Sequence, residues 1–215
     1  MTTLLIVRHG NTFDEGELPR RVGKHTDLPL VAKGIEQAQA VGNYLKQQQL
    51  IPDQIYCSQL QRTQQTAIYA MQAMGCKSPI KVSDIFDEID YGPDENKEEA
   101  EVIARIGKEA IDSWEKESIV PEGWKVDPEE ICQQWQAFAN DIAVTMPGKI
   151  IMVVTSNGIA RFVPSLLEDE KAFDAVFSRK IATGGICHLQ LIDKQWVVKT
   201  WNIKAIESSA VVAVS

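Results

Sequence analysis

"IIMVVTSNGIAR", residues 150–161, is a run of five apolar residues that stops in a small polar turn and resumes as a helical pattern. An uninterrupted Ile150 to Val154 run suits a strand buried on both faces, as in a parallel sheet covered by helices, although periodicity alone leaves a buried helix open. In open α/β sheets the carboxyl ends of such strands are where ligands bind. On this stretch alone, an ordinary strand-to-helix turn capped by Ser156 or Asn157 is the better reading. The rest of the chain has to decide.

Working outward, strands are expected at 4–8, 54–57, 80–83, 149–155, 186–192 and 195–201. Helical patterns alternate with the first four. Ile35, Ala38, Val41 and Leu45 recur at spacings of three and four, and a second pattern covers 61–73. Ile103, Gly107, Ala110 and Trp114 mark a third. Asp127 followed by Pro128 signals a helix start, after which Ile131, Trp135, Phe138 and Ile142 form one apolar stripe. This alternation predicts an α/β fold, a three-layer α/β/α sandwich with a largely parallel sheet. The last two strands, separated only by Asp193-Lys194, predict a hairpin that adds an antiparallel edge.

The 215 residues suit a single domain over 1–215, able to bury about 70% of its unfolded surface. A charged helical insertion or lid is expected around 91–123, and the tail "SSAVVAVS" is either disordered or an edge strand. Cys57, Cys76, Cys132 and Cys187 are scattered without a C-x-x-C pair, which predicts neither a disulfide framework nor a zinc site. They read as a reduced, cytoplasmic set. No stretch approaches the roughly 20 apolar residues of a membrane span, and the start shows no leader pattern.

A net charge of −8 argues against a nucleic-acid partner. The charge is unevenly placed: residues 84–130 hold 17 acidic and 5 basic side chains, whereas 1–62 hold 6 acidic and 7 basic. The acidic segment reads as a solvated helical face. There is no G-x-x-x-x-G-K-[ST] loop and no G-x-G-x-x-G after a strand. No cluster has metal-ligand spacing, so neither a metal nor another cofactor is expected.

The chemistry-bearing motifs are "RHGNT" at 8–12, "GKHTDLPLVAKGIEQA" at 23–38, "SQLQRTQQTA" at 58–67 and "DEIDYG" at 87–92. Together, in this order, they resemble the histidine phosphatase superfamily, the phosphoglycerate mutase-like proteins. The match is dense over 4–92 and returns at 149–161. A neutral imidazole at His9 can attack phosphorus in line and form a phosphohistidine. Arg8 and Arg62 offer planar, permanently charged donors suited to bidentate phosphate contacts, and their charges disfavour protonation of His9. The resemblance implies that Glu88 protonates the leaving oxygen and then activates water. It also puts Asn11 and Arg21 among the phosphate or substrate contacts, with Arg20 competing for Arg21's place. His25 reads as a surface residue with phosphate contact as the alternative, and His188 as an ordinary sheet residue.

In this family the strand quoted above runs into Thr-His-Gly-Gly, whose histidine donates to the transferred phosphoryl group. Here Thr155-Ser156-Asn157-Gly158 aligns with it, and Ser156 stands in the histidine's place. Losing one preorganised donor costs about 10² to 10³ in rate. The Ser156 hydroxyl, the Asn157 amide or a bridging water are the possible replacements. Three readings follow: a metal-independent phosphomonoesterase acting on a phosphorylated small molecule or phosphopeptide, a weak or inactive phosphate-ligand binding protein, and, least favoured, a phosphoglycerate mutase. The architecture is expected to bring Arg8, His9, Arg62, Glu88 and Ser156 into one pocket at the carboxyl edge of the sheet.

Overall fold

The computed structural model describes residues 1–206 of the chain; the tail discussed above lies outside them. In order, the elements are β1 (Thr3–Arg8), α1 (Ala32–Gln47), β2 (Gln54–Cys57), α2 (Gln61–Met74), β3 (Ile80–Val82), α3 (Glu99–Ile106), α4 (Lys108–Glu117), α5 (Pro128–Thr145), β4 (Ile150–Thr155), α6 (Asn157–Ala160), α7 (Glu170–Asp174), β5 (Gly185–Ile192) and β6 (Gln195–Lys204). The strands form one mixed sheet in the order β3-β2-β4-β1-β5-β6. β3, β2, β4 and β1 are mutually parallel, and β5 runs antiparallel to both β1 and β6. Asp193 and Lys194 turn the final hairpin with φ of 49° and 68°, the left-handed pair that matches strand twist.

Successive side chains of a strand point to opposite faces, and the apolar runs feed two cores accordingly. Leu4, Ile6, Ile151 and Val153 pack with Trp114, Trp135 and Ile142 on one face, while Leu5, Val7, Met152 and Val154 pack with Val41, Leu45, Ala67 and Ala70 on the other. Helices α1 and α2 therefore cover one face and α5 the other. Each large side chain withdrawn in this way contributes about 1.5–3 kcal/mol. Asp127 caps α5 as its sequence signals, its carboxylate accepting from Glu129 N at 2.9 Å and Glu130 N at 3.2 Å.

The third helical pattern needs correction. It is two helices, α3 and α4, broken at Gly107, whose φ of +82° an α-helix cannot contain. The break rotates the apolar stripe, so Val102 is buried and Ile103 is 36% exposed. Asp94 is buried against the Arg105 guanidinium and the Trp124 indole N–H, which anchors this charged stretch to the body. Among the described residues no helix is long and apolar enough to cross a membrane.

Candidate active site

Arg8 ends β1 and pairs in register with Thr155, which ends β4. The His9 N–H donates to Thr155 O at 3.0 Å, so the ladder continues one residue past β1 and His9 leaves the sheet at the end of β4. The Thr155 hydroxyl donates to Phe86 O at 2.7 Å, drawing the segment that carries Glu88 to the same edge. Arg62 arrives on the first turn of α2, and Thr66 one turn later accepts from Gly10 N at 3.1 Å. The centre so formed is nearly sealed: His9 is 7% exposed, and Arg62 and Ser156 are 0% exposed. Charges inside it act with little screening by water.

A backbone carbonyl only accepts hydrogen bonds, so the 2.7 Å contact between His9 Nδ1 and Gly10 O places the proton on Nδ1. The Nε2 lone pair is then the available nucleophile. Burial, followed by the charges of Arg62 and Arg8, holds the imidazole well below its ordinary pKa and therefore neutral. Glu88 is shifted the other way. Burial raises its carboxyl above the usual range despite the opposing charge of Arg62 and backbone N–H bonds from Ile89 at 2.9 Å and Gly158 at 3.4 Å. His9 is thus kept as a neutral base, while Glu88 holds a proton more readily than a solvated glutamate does.

Gly158 fixes where that acid sits. A Cβ there would lie 2.1 Å from Glu88 Oε1. Gly158→Ala is expected to push the carboxylate aside and lower kcat by about 10²-fold, the cost of a misplacement near 1 Å. Single-turnover kinetics with denaturant melts checks this, since an equal loss of folded protein would assign the glycine to packing alone.

Arg8 donates from Nη1 to Ile181 O at 2.6 Å and leaves a buried Nε without a partner. Arg62 differs from the sequence expectation. Its Nη1 donates to Thr26 O at 2.8 Å and its Nη2 to Gly23 O at 3.1 Å and Val22 O at 3.3 Å, with Nε left unpartnered. Three carbonyls of the 22–26 loop thus occupy both terminal nitrogens, so a side-on bidentate contact is open to Arg8 and not to Arg62.

Neither Ser156 nor Asn157 caps α6 with its side chain. The Ser156 Oγ is buried and without a partner, and Asn157 Oδ1 accepts from Ile181 N at 2.8 Å. Asn11 donates from its backbone N to Gln37 Oε1 at 2.8 Å, and its side-chain oxygen accepts from the Thr183 hydroxyl. Arg8, Asn11 and Asn157 are therefore all tied to the 181–184 segment, whose Gly184 N also donates to Arg8 O at 3.0 Å. Sequence reading missed this segment, because no motif marks a loop whose role is carried by backbone groups.

Of the competing arginines, Arg20 is exposed beside Phe13, whereas the Arg21 side chain is 13% exposed and pairs with Glu99 at 2.9 Å. His25 is a surface residue, 62% exposed and 3.1 Å from Asp90. His188 lies within β5, opposite Leu5 of β1. Among the described residues no group of three His, Cys, Asp or Glu side chains forms a metal site.

A model of the histidine phosphatase superfamily (branch 1) matches residues 4–204. Phosphoglycerate mutase 1 of Saccharomyces cerevisiae is 32% identical over 123 residues, 56% of this chain and 49% of that protein, so the match spans about half of that relative's length. A Proteus mirabilis protein named "Probable phosphoglycerate mutase GpmB" is 29% identical over 214 residues, covering 95% of this chain and 92% of its own length. Among solved structures, the native mycobacterial glucosyl-3-phosphoglycerate phosphatase has a TM-score of 0.77 at 19% identity, over 94% of this chain and 99% of that one. At that identity the likeness is one of fold.

Proposed function

The chain belongs to the histidine phosphatase superfamily, branch 1, and from that membership we propose that it is a metal-independent phosphomonoesterase working through a phosphohistidine on His9. The observation that carries this reading is a buried imidazole held neutral with its proton on Nδ1, which leaves Nε2 free to attack, at the same sheet edge as a buried glutamate whose carboxyl burial shifts upward. In the first step His9 Nε2 forms a bond to phosphorus as the ester P–O bond breaks, and the Glu88 proton goes to the departing oxygen. In the second, water attacks phosphorus, its proton passes to the Glu88 carboxylate, and the P–N bond breaks to release phosphate and the neutral imidazole. Arg8 holds phosphoryl oxygens side-on, and Arg62 supplies charge and its Nε–H.

Ser156 takes the place the family gives a second histidine, and its unpartnered hydroxyl supports a role as a phosphoryl donor. The same substitution is what favours the second reading, a phosphate-ligand binding protein. A mutase is less favoured because returning the phosphoryl group to a second position of one substrate calls for a further acid-base group. The deciding experiment is turnover of p-nitrophenyl phosphate with chelator present, together with alkaline detergent quenching to trap a phosphoryl adduct on His9 that is stable to alkali and lost in acid. Phosphate binding without turnover or adduct would leave the binding protein.

Ser156→His is expected to raise kcat by about tenfold or more, a fraction of the 10² to 10³ that one preorganised donor supplies. Steady-state assays beside a melting curve check it. An unchanged or lower kcat in a protein that folds normally would remove Ser156 from the phosphoryl position.

A further inference from the structure

The outer strand β6 departs from regular geometry near its end. β5 runs antiparallel to both β1 and β6, so β6 is parallel to β1 and its carboxyl end reaches the edge where Arg8 stands. There Ile186 pairs with Ile203 and His188 with Thr200, which leaves Trp201 and Asn202 together opposite Cys187. This is a β-bulge, and Asn202 occupies it in the left-handed region with a φ of +56°. Bulges re-aim side chains beside functional sites, and asparagine enters the left-handed region more readily than most residues.

Asn202 is aimed at residues 180–182, which belong to no helix or strand. Its Oδ1 accepts from Ala182 N at 2.8 Å, and its Nδ2 donates to Lys180 O at 3.4 Å. A backbone N–H only donates and a carbonyl only accepts, so these partners fix which way the amide is turned. Ile181, between them, is fully buried and faces the candidate site with both of its backbone groups. Its carbonyl accepts from Arg8 Nη1 at 2.6 Å, and its N–H donates to Asn157 Oδ1 at 2.8 Å. One amide therefore holds the residues on either side of Ile181, and Ile181 holds a guanidinium and a second amide at the sheet edge. Trp201 grips the same segment further back, its indole N–H donating to Ser178 O at 2.8 Å.

We propose that Asn202 is a positioning residue for phosphoryl binding: it sets the Ile181 backbone and, through it, the Arg8 guanidinium and the Asn157 amide. A guanidinium offers its donors in a rigid fork, so rotating it disturbs both of its contacts to a phosphoryl group at once. The proposal rests on the phosphomonoesterase reading for its consequence in turnover, whereas its consequence for anion binding can be read without turnover.

Phosphorus NMR titration with inorganic phosphate provides that reading. Asn202→Gly removes the amide and keeps a residue at ease with a φ of +56°. It should bind phosphate about tenfold more weakly than wild type, the size of one charge-assisted hydrogen bond. In an Arg8→Ala background the same substitution should cost less than about twofold, because residues that act through one another are not additive. Trp201→Phe, which keeps a ring and loses the bond to Ser178, should bind phosphate as wild type does. Gly185→Ala reaches the same contact independently, since its Cβ would lie 2.5 Å from Asn202 Oδ1, and it replaces Asn202→Gly if that variant does not fold. Unchanged affinity in either folded variant, an equal loss with and without Arg8, or an equal loss in Trp201→Phe each overturns the proposal. If phosphate affinity follows the expected pattern while wild type turns over no phosphomonoester, the positioning role stands and the hydrolase reading falls.

Discussion

Replacing His9 by alanine is expected to lower kcat/KM for any phosphomonoester by at least about 10⁴-fold. Removing a covalent nucleophile abolishes the two-step route, and comparable deletions in hydrolases cost on the order of 10⁶ in kcat. The reference for the loss is a site whose other parts persist, since Arg8, Arg62 and Glu88 are held by backbone contacts independent of the imidazole. Anion affinity should therefore survive. His9 accepts no side-chain hydrogen bond that holds the sheet edge together, so the variant should melt close to wild type. The measurement is metal-free turnover of alkyl and aryl phosphates by both proteins, with phosphate binding as the control. Equal activity in wild type and His9→Ala would eliminate the phosphohistidine route.

Glu88→Gln is expected to lower kcat by about 10² to 10³, within the range of general acid-base catalysis, and most strongly for alkyl phosphates whose leaving oxygen needs the proton. p-Nitrophenyl phosphate, with a good leaving group, should lose less in the first step and accumulate phosphoenzyme in the second, where the carboxylate acts as base. The pH profile provides the sharper test. Burial raises Glu88 above its ordinary range, and the first step uses its protonated form, so activity falls as pH rises through the Glu88 pKa. His9 is depressed below 6.5 and reacts as the neutral base, so activity falls on the acid side as pH drops through its lowered pKa. In Glu88→Gln the alkaline limb should vanish and the acid limb remain. Persistence of both limbs would assign the alkaline one to another group.

The fold was readable because β1 and β4 are short apolar runs with polar residues at their ends, and because burial on both faces needs helices on both sides. Arg8, His9 and Ser156 were readable as strand-end residues for the same reason: where a buried strand stops, its next residues stand at the rim. Asp127 and Pro128 announced α5 through chemistry confined to one turn. The Ile103, Gly107, Ala110, Trp114 pattern misled because helical spacing does not record φ, and Gly107 permits a break that the spacing conceals.

By itself the sequence determined which side chains lie at the ends of β1 and β4 and that they include a histidine and an arginine. Only the tertiary structure decided which of their donors remain open. Arg8 bonds a carbonyl 173 residues away and Arg62 carbonyls 36 to 40 residues away, and these partners are backbone groups that every residue type carries equally. The same holds for Arg161, which lies within the opening stretch yet acquires its surroundings from Trp114 and the end of α4. Local patterns set the elements because their energetics are local; the state of a buried charge depends on every group folded against it, and that is known only once the chain has closed.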